Sequence, residues 1–177
     1  MARLAGLFAV VACVLASAAA ASIYPGTSQA LLPVAKEIGF TRVLVALPAK
    51  KPVAALTRGY KNGATALYQK GTTKVPTEAL ATAYIYSSTA NAMLAWKNAC
   101  SKCKVVSAPA GFRLKAEAGT SKGQPTLHEV TACANVYLDV FEQGPTTVSK
   151  LDLDLAKITN AVYARATHGG MSSCTAK

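Results

Sequence analysis

Apolar and polar residues recur along most of this chain at spacings that predict helices. The clearest run lies near the C-terminal end, where Val148, Leu151, Leu155, Ile158, Val162 and Ala166 follow one another at steps of three and four. Asp152 and Asp154 come early in it and Arg165 and His168 late, the charge order that suits a helix dipole, and Gly169 and Gly170 close it. A second prediction covers residues 77–103, with Thr77 and Glu78 as the start of a long central helix. Leu80, Tyr84, Ser87, Asn91 and Leu94 follow one face of it, and Trp96, the sole tryptophan, lies beside them.

Two further segments carry the same period. Residues 53–69 place Leu56, Tyr60, Ala64 and Leu67 on one stripe, weakened by Gly59 and Gly63. Thr126 and Glu129 have the spacing of a capping box, opening a helix that aligns Val130, Cys133, Ala134, Tyr137 and Phe141 and stops at Gly144 and Pro145. Residues 30–37 suit a short helix ended by Gly39. Residues 40–47 fit either a strand or a short buried helix; the helix is preferred because no partner strand of similar strength follows. The pattern changes only at 104–118, where Val105, Val106, Phe112 and Leu114 flank a turn-prone Ala-Pro-Ala-Gly, so one short β-hairpin fits there. The expected fold is all-α, a compact bundle of four to five helices.

The N-terminus removes its own segment from that fold. Arg3, an unbroken apolar run at 4–15 and a small-residue stretch at 16–21 make residues 1–21 a signal peptide, leaving 22–177 as one helical domain that is secreted and extracellular. A domain of that size can bury on the order of 70% of its unfolded surface. Export also gives the cysteines a meaning. With Cys13 lost, Cys100, Cys103, Cys133 and Cys174 remain, an even count that reads as two disulfides. Joining Cys100 to Cys103 closes only a tiny loop, so these two are expected to bond separately to Cys133 and Cys174.

Charge adds a direction. The formal net charge is +11, and residues 38–116 hold twelve Lys or Arg against the single acid Glu78. Lys50, Lys51, Arg58, Lys61, Lys70 and Lys74 form the candidate basic surface, suited to an acidic extracellular polymer, an anionic surface or an acidic protein. Self-association is a further expectation. Nucleic acid is not expected as a partner, because the cations are scattered, aromatic interleaving is sparse and export removes the usual target.

Candidate chemistry is thin. The C-x-x-C at Cys100 and Cys103 falls at a helix C-terminus, where the dipole opposes a thiolate, so a structural disulfide is the preferred reading over a redox dithiol. A zinc site drawn from Cys100, Cys103, Cys133 and His128 or Cys174 lacks a paired second half, and neither metal nor cofactor is expected. Ser121 sits in a G-x-S-x-G match, but Pro125 intervenes before the next predicted helix and no parallel sheet precedes it. Tyr84, Trp96 and Tyr137 are the candidate ligand-facing aromatics. The leading expectation is a non-enzymatic secreted protein acting by binding or assembly, as a structural, matrix or surface-interaction component. The alternatives are an extracellular carrier of a small apolar ligand and a serine hydrolase using Ser121.

Overall fold

The structure, a computed structural model, describes residues 23–49, 51–53, 56–72, 74–106 and 113–169. It overturns the all-α expectation. Among the described residues, seven strands form one antiparallel sheet: β1 (Arg42–Pro48), β2 (Tyr60–Gly71), β3 (Pro76–Tyr86), β4 (Lys104–Val105), β5 (Arg113–Ser121), β6 (Gln124–Cys133) and β7 (Val136–Gln143), in the order β1-β2-β3-β7-β6-β5-β4. Three helices accompany it: α1 (Ser28–Leu31), α2 (Thr89–Asn98) and α3 (Val148–His168), with a 3₁₀ turn at Ala35–Ile38. Two meanders, β1-β2-β3 and β4-β5-β6-β7, are joined through α2 and meet along the β3/β7 pair.

The strands form where alanine misled the helical reading. In β2, Ala64, Ala66 and Tyr68 alternate with Thr65, Leu67 and Gln69. In β3, Ala79, Ala81, Ala83 and Ile85 alternate with Leu80, Thr82 and Tyr84. The first set in each strand is buried against α1 and α3, and its small side chains let those helices approach the sheet closely. Alanine is a strong helix former in isolation, but tertiary burial on a pleated surface outweighs that preference. The predicted helix over 53–69 is therefore largely β2, and the one over 77–103 divides into β3 and the ten-residue α2. Residues 42–48 are strand rather than helix, because a partner of matching length does exist in β2.

The capping-box segment is corrected in the same way. Thr126 and Glu129 lie within β6, and the residues beyond Ala134 and Asn135 return as β7. Asn135 fixes that turn and is fully buried. Its side chain accepts from the Tyr24 N–H at 2.8 Å and donates to the Tyr24 and Tyr86 carbonyls at 3.2 and 3.1 Å. A hairpin does occur near 104–118, where Lys104 pairs with Ala116 and Val105 with Lys115. The final helix forms where the apolar period places it, burying Leu151, Leu155, Ile158, Val162 and Ala166 against the sheet. Residues 1–21, expected as a signal peptide, lie outside the described residues, and among those described no helix is long and apolar enough to cross a membrane.

The α3 layer contains acids that a core ordinarily excludes. Glu142 is 0% exposed, and neither of its carboxyl oxygens has a hydrogen-bond partner among the described residues. Burial, reinforced by the charge of Asp154 and partly offset by Lys70, pushes the Glu142 carboxyl up to about 8. Glu129, buried and facing Asp152, rises to about 7. Both groups hold their proton in the fold at a pH where the unfolded chain, titrating near 4.5, has released it. Their contribution to stability is thus complete below 4.5 and is lost as pH rises through 7 to 8. Thermal unfolding followed across this window should show stability falling with a slope approaching about 1.4 kcal/mol per pH unit for each carboxyl. Glu142→Gln, which keeps the shape and removes the titration, should flatten that slope.

Candidate functional site

The sheet has two faces, and α1 and α3 pack on one of them. Seven strands span about 29 Å across the sheet at a spacing of about 4.8 Å. On the second face, among the described residues, α2 is the helix present, joined by Leu56, and its ten residues extend about 15 Å. It cannot cover the sheet. The Ser88 hydroxyl caps its start by accepting from the Asn91 N–H, and its apolar side, Ala92, Ala95 and Trp96, packs on Tyr86, Val130, Ala132 and Tyr137. The Trp96 indole N–H donates to the Val130 carbonyl at 3.2 Å. At the other end the Lys115 ammonium donates to the carbonyls of Trp96 and Lys97, both at 3.0 Å, and sits 4.5 Å from the Trp96 ring centre. That cation satisfies the helix C-terminus and holds α2 against β5.

Beside α2 the second face stays open. Directly opposed residues make rows across it. One row runs Leu67, Leu80, Phe141, His128 and Glu117, across β2, β3, β7, β6 and β5. Leu80 is 42% and Phe141 36% exposed, so an apolar stripe is open to solvent over central strands. The adjacent row runs Thr65, Thr82 and Asp139, with the two threonine hydroxyls 3.0 Å apart. Asp139 ties the rows together: one carboxylate oxygen lies 2.9 Å from His128 Nε2, and the other accepts from the Tyr137 hydroxyl at 3.2 Å. The hydrogen bond to Asp139 raises the His128 pKa against the opposing effect of burial. On the far side, Gln69 and Gln143 donate their side-chain amides to the Glu78 carboxylate and make a polar border.

The candidate aromatics divide between this face and the core beneath α2. Tyr84 is half-buried on the open face, stacked on Tyr137 with centroids 5.8 Å apart and planes at 19°. Tyr60 meets the Tyr84 ring edge-on at 6.1 Å. Tyr137 and Trp96 are themselves buried and serve as packing. Burial raises the Tyr84 hydroxyl pKa, and it raises that of Tyr137 further, with Asp139 adding to both. The sequence reading missed Leu80, His128, Asp139 and Phe141 as members of one surface. The alternation in Val136-Tyr-Leu-Asp-Val-Phe-Glu-Gln143 is the signal that brings Tyr137, Asp139 and Phe141 to one side.

The candidate cations are not one patch. Lys51, Arg58, Lys61 and Lys74 are exposed. Lys70 instead turns under the sheet, ion-pairing with Asp154 and lying 4.8 Å from the Phe40 ring centre. There it lines a cleft of about 260 Å³ with Thr77, Thr146, Lys150 and Lys157. Lys50 lies outside the described residues.

The expected disulfide pairing is corrected. Cys100 bonds to Cys103. After the end of α2 at Ala99, Cys100 adopts a left-handed φ of 43°, and the Cys103 N–H donates to its carbonyl, so the two sulfurs turn toward each other. Cys133 faces the α3 side of the sheet, out of their reach, and is itself disulfide-bonded. Cys174 lies outside the described residues. Ser121 is no nucleophile elbow: it ends β5 at a tight hairpin, with Lys122 and Gly123 at φ 50° and 77°, and a strand rather than a helix follows. His168 sits at the end of α3 with its ring on the Ala164 carbonyl.

No family model and no curated protein matches this chain. Among solved structures, the extracellular domain of PknH from Mycobacterium tuberculosis is similar at 15% identity and a TM-score of 0.45, over 77% of this chain and 94% of that one. At that distance the likeness carries no argument about this chain.

The two aromatic environments give opposite mutational outcomes. Trp96→Ala should cost about 3–5 kcal/mol in denaturant unfolding, because it removes the anchor of α2. Tyr84→Ala should cost far less, with the stacking itself contributing about 1 kcal/mol beyond burial, and should leave the fold unchanged by circular dichroism.

Proposed function

We propose that this chain is an exported, non-catalytic binding module whose open sheet face takes an anionic amphipathic partner, the apolar part lying on Leu67, Leu80 and Phe141. The observation that carries this reading is the exposure of Leu80 and Phe141 side by side over the central strands β3 and β7. The solvated face of an antiparallel sheet is ordinarily polar, and a contiguous apolar row left in solvent there marks an interaction surface. Thr65, Thr82, Asp139 and His128 border that row with hydrogen-bonding groups able to orient a ligand.

Charge supplies the sign of the partner. With a net charge of +11 and exposed Lys51, Arg58, Lys61 and Lys74, the chain attracts anions at long range, and salt weakens that attraction. The signal-peptide pattern of residues 1–21 supports an encounter outside the cell. A carrier function inside the α2 layer is less favoured, since Trp96 and Tyr137 fill that layer themselves.

Anilinonaphthalene sulfonate, an apolar ring system bearing one negative charge, is a direct probe. The folded mature protein should bind it saturably, with fluorescence enhancement that declines with added salt. Phe141→Asp and Leu80→Asp should each lower the affinity at least about tenfold by placing a charge within the stripe. Binding unaltered in both variants would remove this reading.

A further inference from the structure

The Cys100–Cys103 disulfide stands next to groups that a structural staple does not need. The two sulfurs and a ring nitrogen of His128 all lie within 4.8 Å of one another, and all three residues are half-buried and reachable from solvent. Glu117, directly opposite His128 across the β5/β6 pair, holds a carboxylate oxygen 3.8 Å from the Cys100 sulfur. Two sulfurs, one imidazole and one carboxylate are the donor number and type of a tetrahedral zinc-class site. Asp139 completes the pattern. Its carboxylate engages His128 Nε2 at 2.9 Å, which leaves Nδ1 as the nitrogen available to a cation and orients the ring, the usual outer-shell support of a ligating histidine.

The same surroundings bear on the redox state. The bond closes a loop with a sequence separation of only three residues, so it restrains the unfolded chain little. It also holds Cys100, a residue with a Cβ, at a φ of 43°. Reduction leaves two thiols beside His128, with the Glu117 carboxylate 3.8 Å from the Cys100 sulfur.

We propose that reduction of Cys100–Cys103 by a dithiol reductant turns this corner of the protein into a site for a zinc-class divalent cation, held by Cys100, Cys103, His128 and Glu117. The step balances. The reductant gives two electrons and two protons, the S–S bond becomes two S–H groups, and the reductant leaves as its own disulfide; the cation then displaces both thiol protons to solvent. The oxidised protein has no thiolate to offer there and does not bind. This goes beyond the binding of an amphipathic partner and does not depend on it.

The test uses cobalt(II) as a spectroscopic stand-in for zinc, added to the mature protein before and after reduction by a phosphine. The reduced protein should bind one cobalt per chain with a thiolate-to-cobalt charge-transfer band that zinc abolishes, and the oxidised protein should show no band. Cys103→Ser should remove the band. His128→Gln keeps both thiols and should weaken binding at least about tenfold, while Asp139→Asn, which spares every ligand, should weaken it by about 10–100-fold. Absence of the band in the reduced protein overturns the proposal. So does a band that survives Cys103→Ser, which would assign the thiolates to Cys133 or Cys174, or an affinity unmoved by His128→Gln.

Discussion

The pairing of β3 with β7 is the contact on which the rest of the molecule depends. It joins two meanders that are otherwise separate in sequence, setting Glu78 opposite Gln143 at one end and Ile85 opposite Val136 at the other. A slip of one residue in either strand exchanges its faces. Ala79, Ala81, Ala83, Val136, Leu138 and Val140 would then point away from α3, and Leu80 and Phe141 toward it. Asn135 guards against that slip. Its buried amide is bonded to Tyr24 and to the Tyr86 carbonyl, so the end of β3, the β6–β7 turn and the N-terminal segment are fixed together. Truncating that side chain would leave buried backbone groups unpaired, which is costlier than the bonds themselves are favourable.

With the register fixed, helix length decides what each face becomes. The 21 residues of α3 extend about 31 Å and run over the sheet from the Leu151 end to the Ala166 end, covering a core rich in small side chains. That cover is close enough to enclose Glu129 and Glu142, and their burial raises both carboxyl pKa values. On the other face α2 is half as long and sits over β6 and β7, so the row from Leu67 to His128 stays outside it. The ligand surface proposed here and the cysteine corner beside it both follow from that mismatch in length. They meet at His128, whose ring touches Phe141 on one side and Asp139 on another.

The legibility of this structure in its sequence follows from how ambiguous each segment is. The α3 segment has six apolar residues at steps of three and four, a pattern that no strand period reproduces. In β2 and β3 the inward positions are mostly alanine and the outward ones threonine, leucine and tyrosine, so a period of two carries little contrast and chance matches to 3.6 prevail. Thr126 and Glu129 imitate a capping box, yet Glu129 is buried on a strand, where an acid is the last residue a sequence reading places. Tyr84 and Tyr137 carry the same aromatic signal in the sequence, but Tyr84 is half-buried on the open face while Tyr137, opposite it in the same row, is covered by α2. The cysteines were misjudged because loop size was weighed and the sheet was not: Cys133 lies on the opposite face from Cys100 and Cys103.

The most direct measurement is the amide NMR spectrum of the mature protein titrated with anilinonaphthalene sulfonate. Progressive shifts are expected at Leu67, Leu80, His128 and Phe141, in one patch on the face beside α2. Shifts confined instead to Lys70, Lys150 and Lys157, around the cleft on the α3 side, would contradict it.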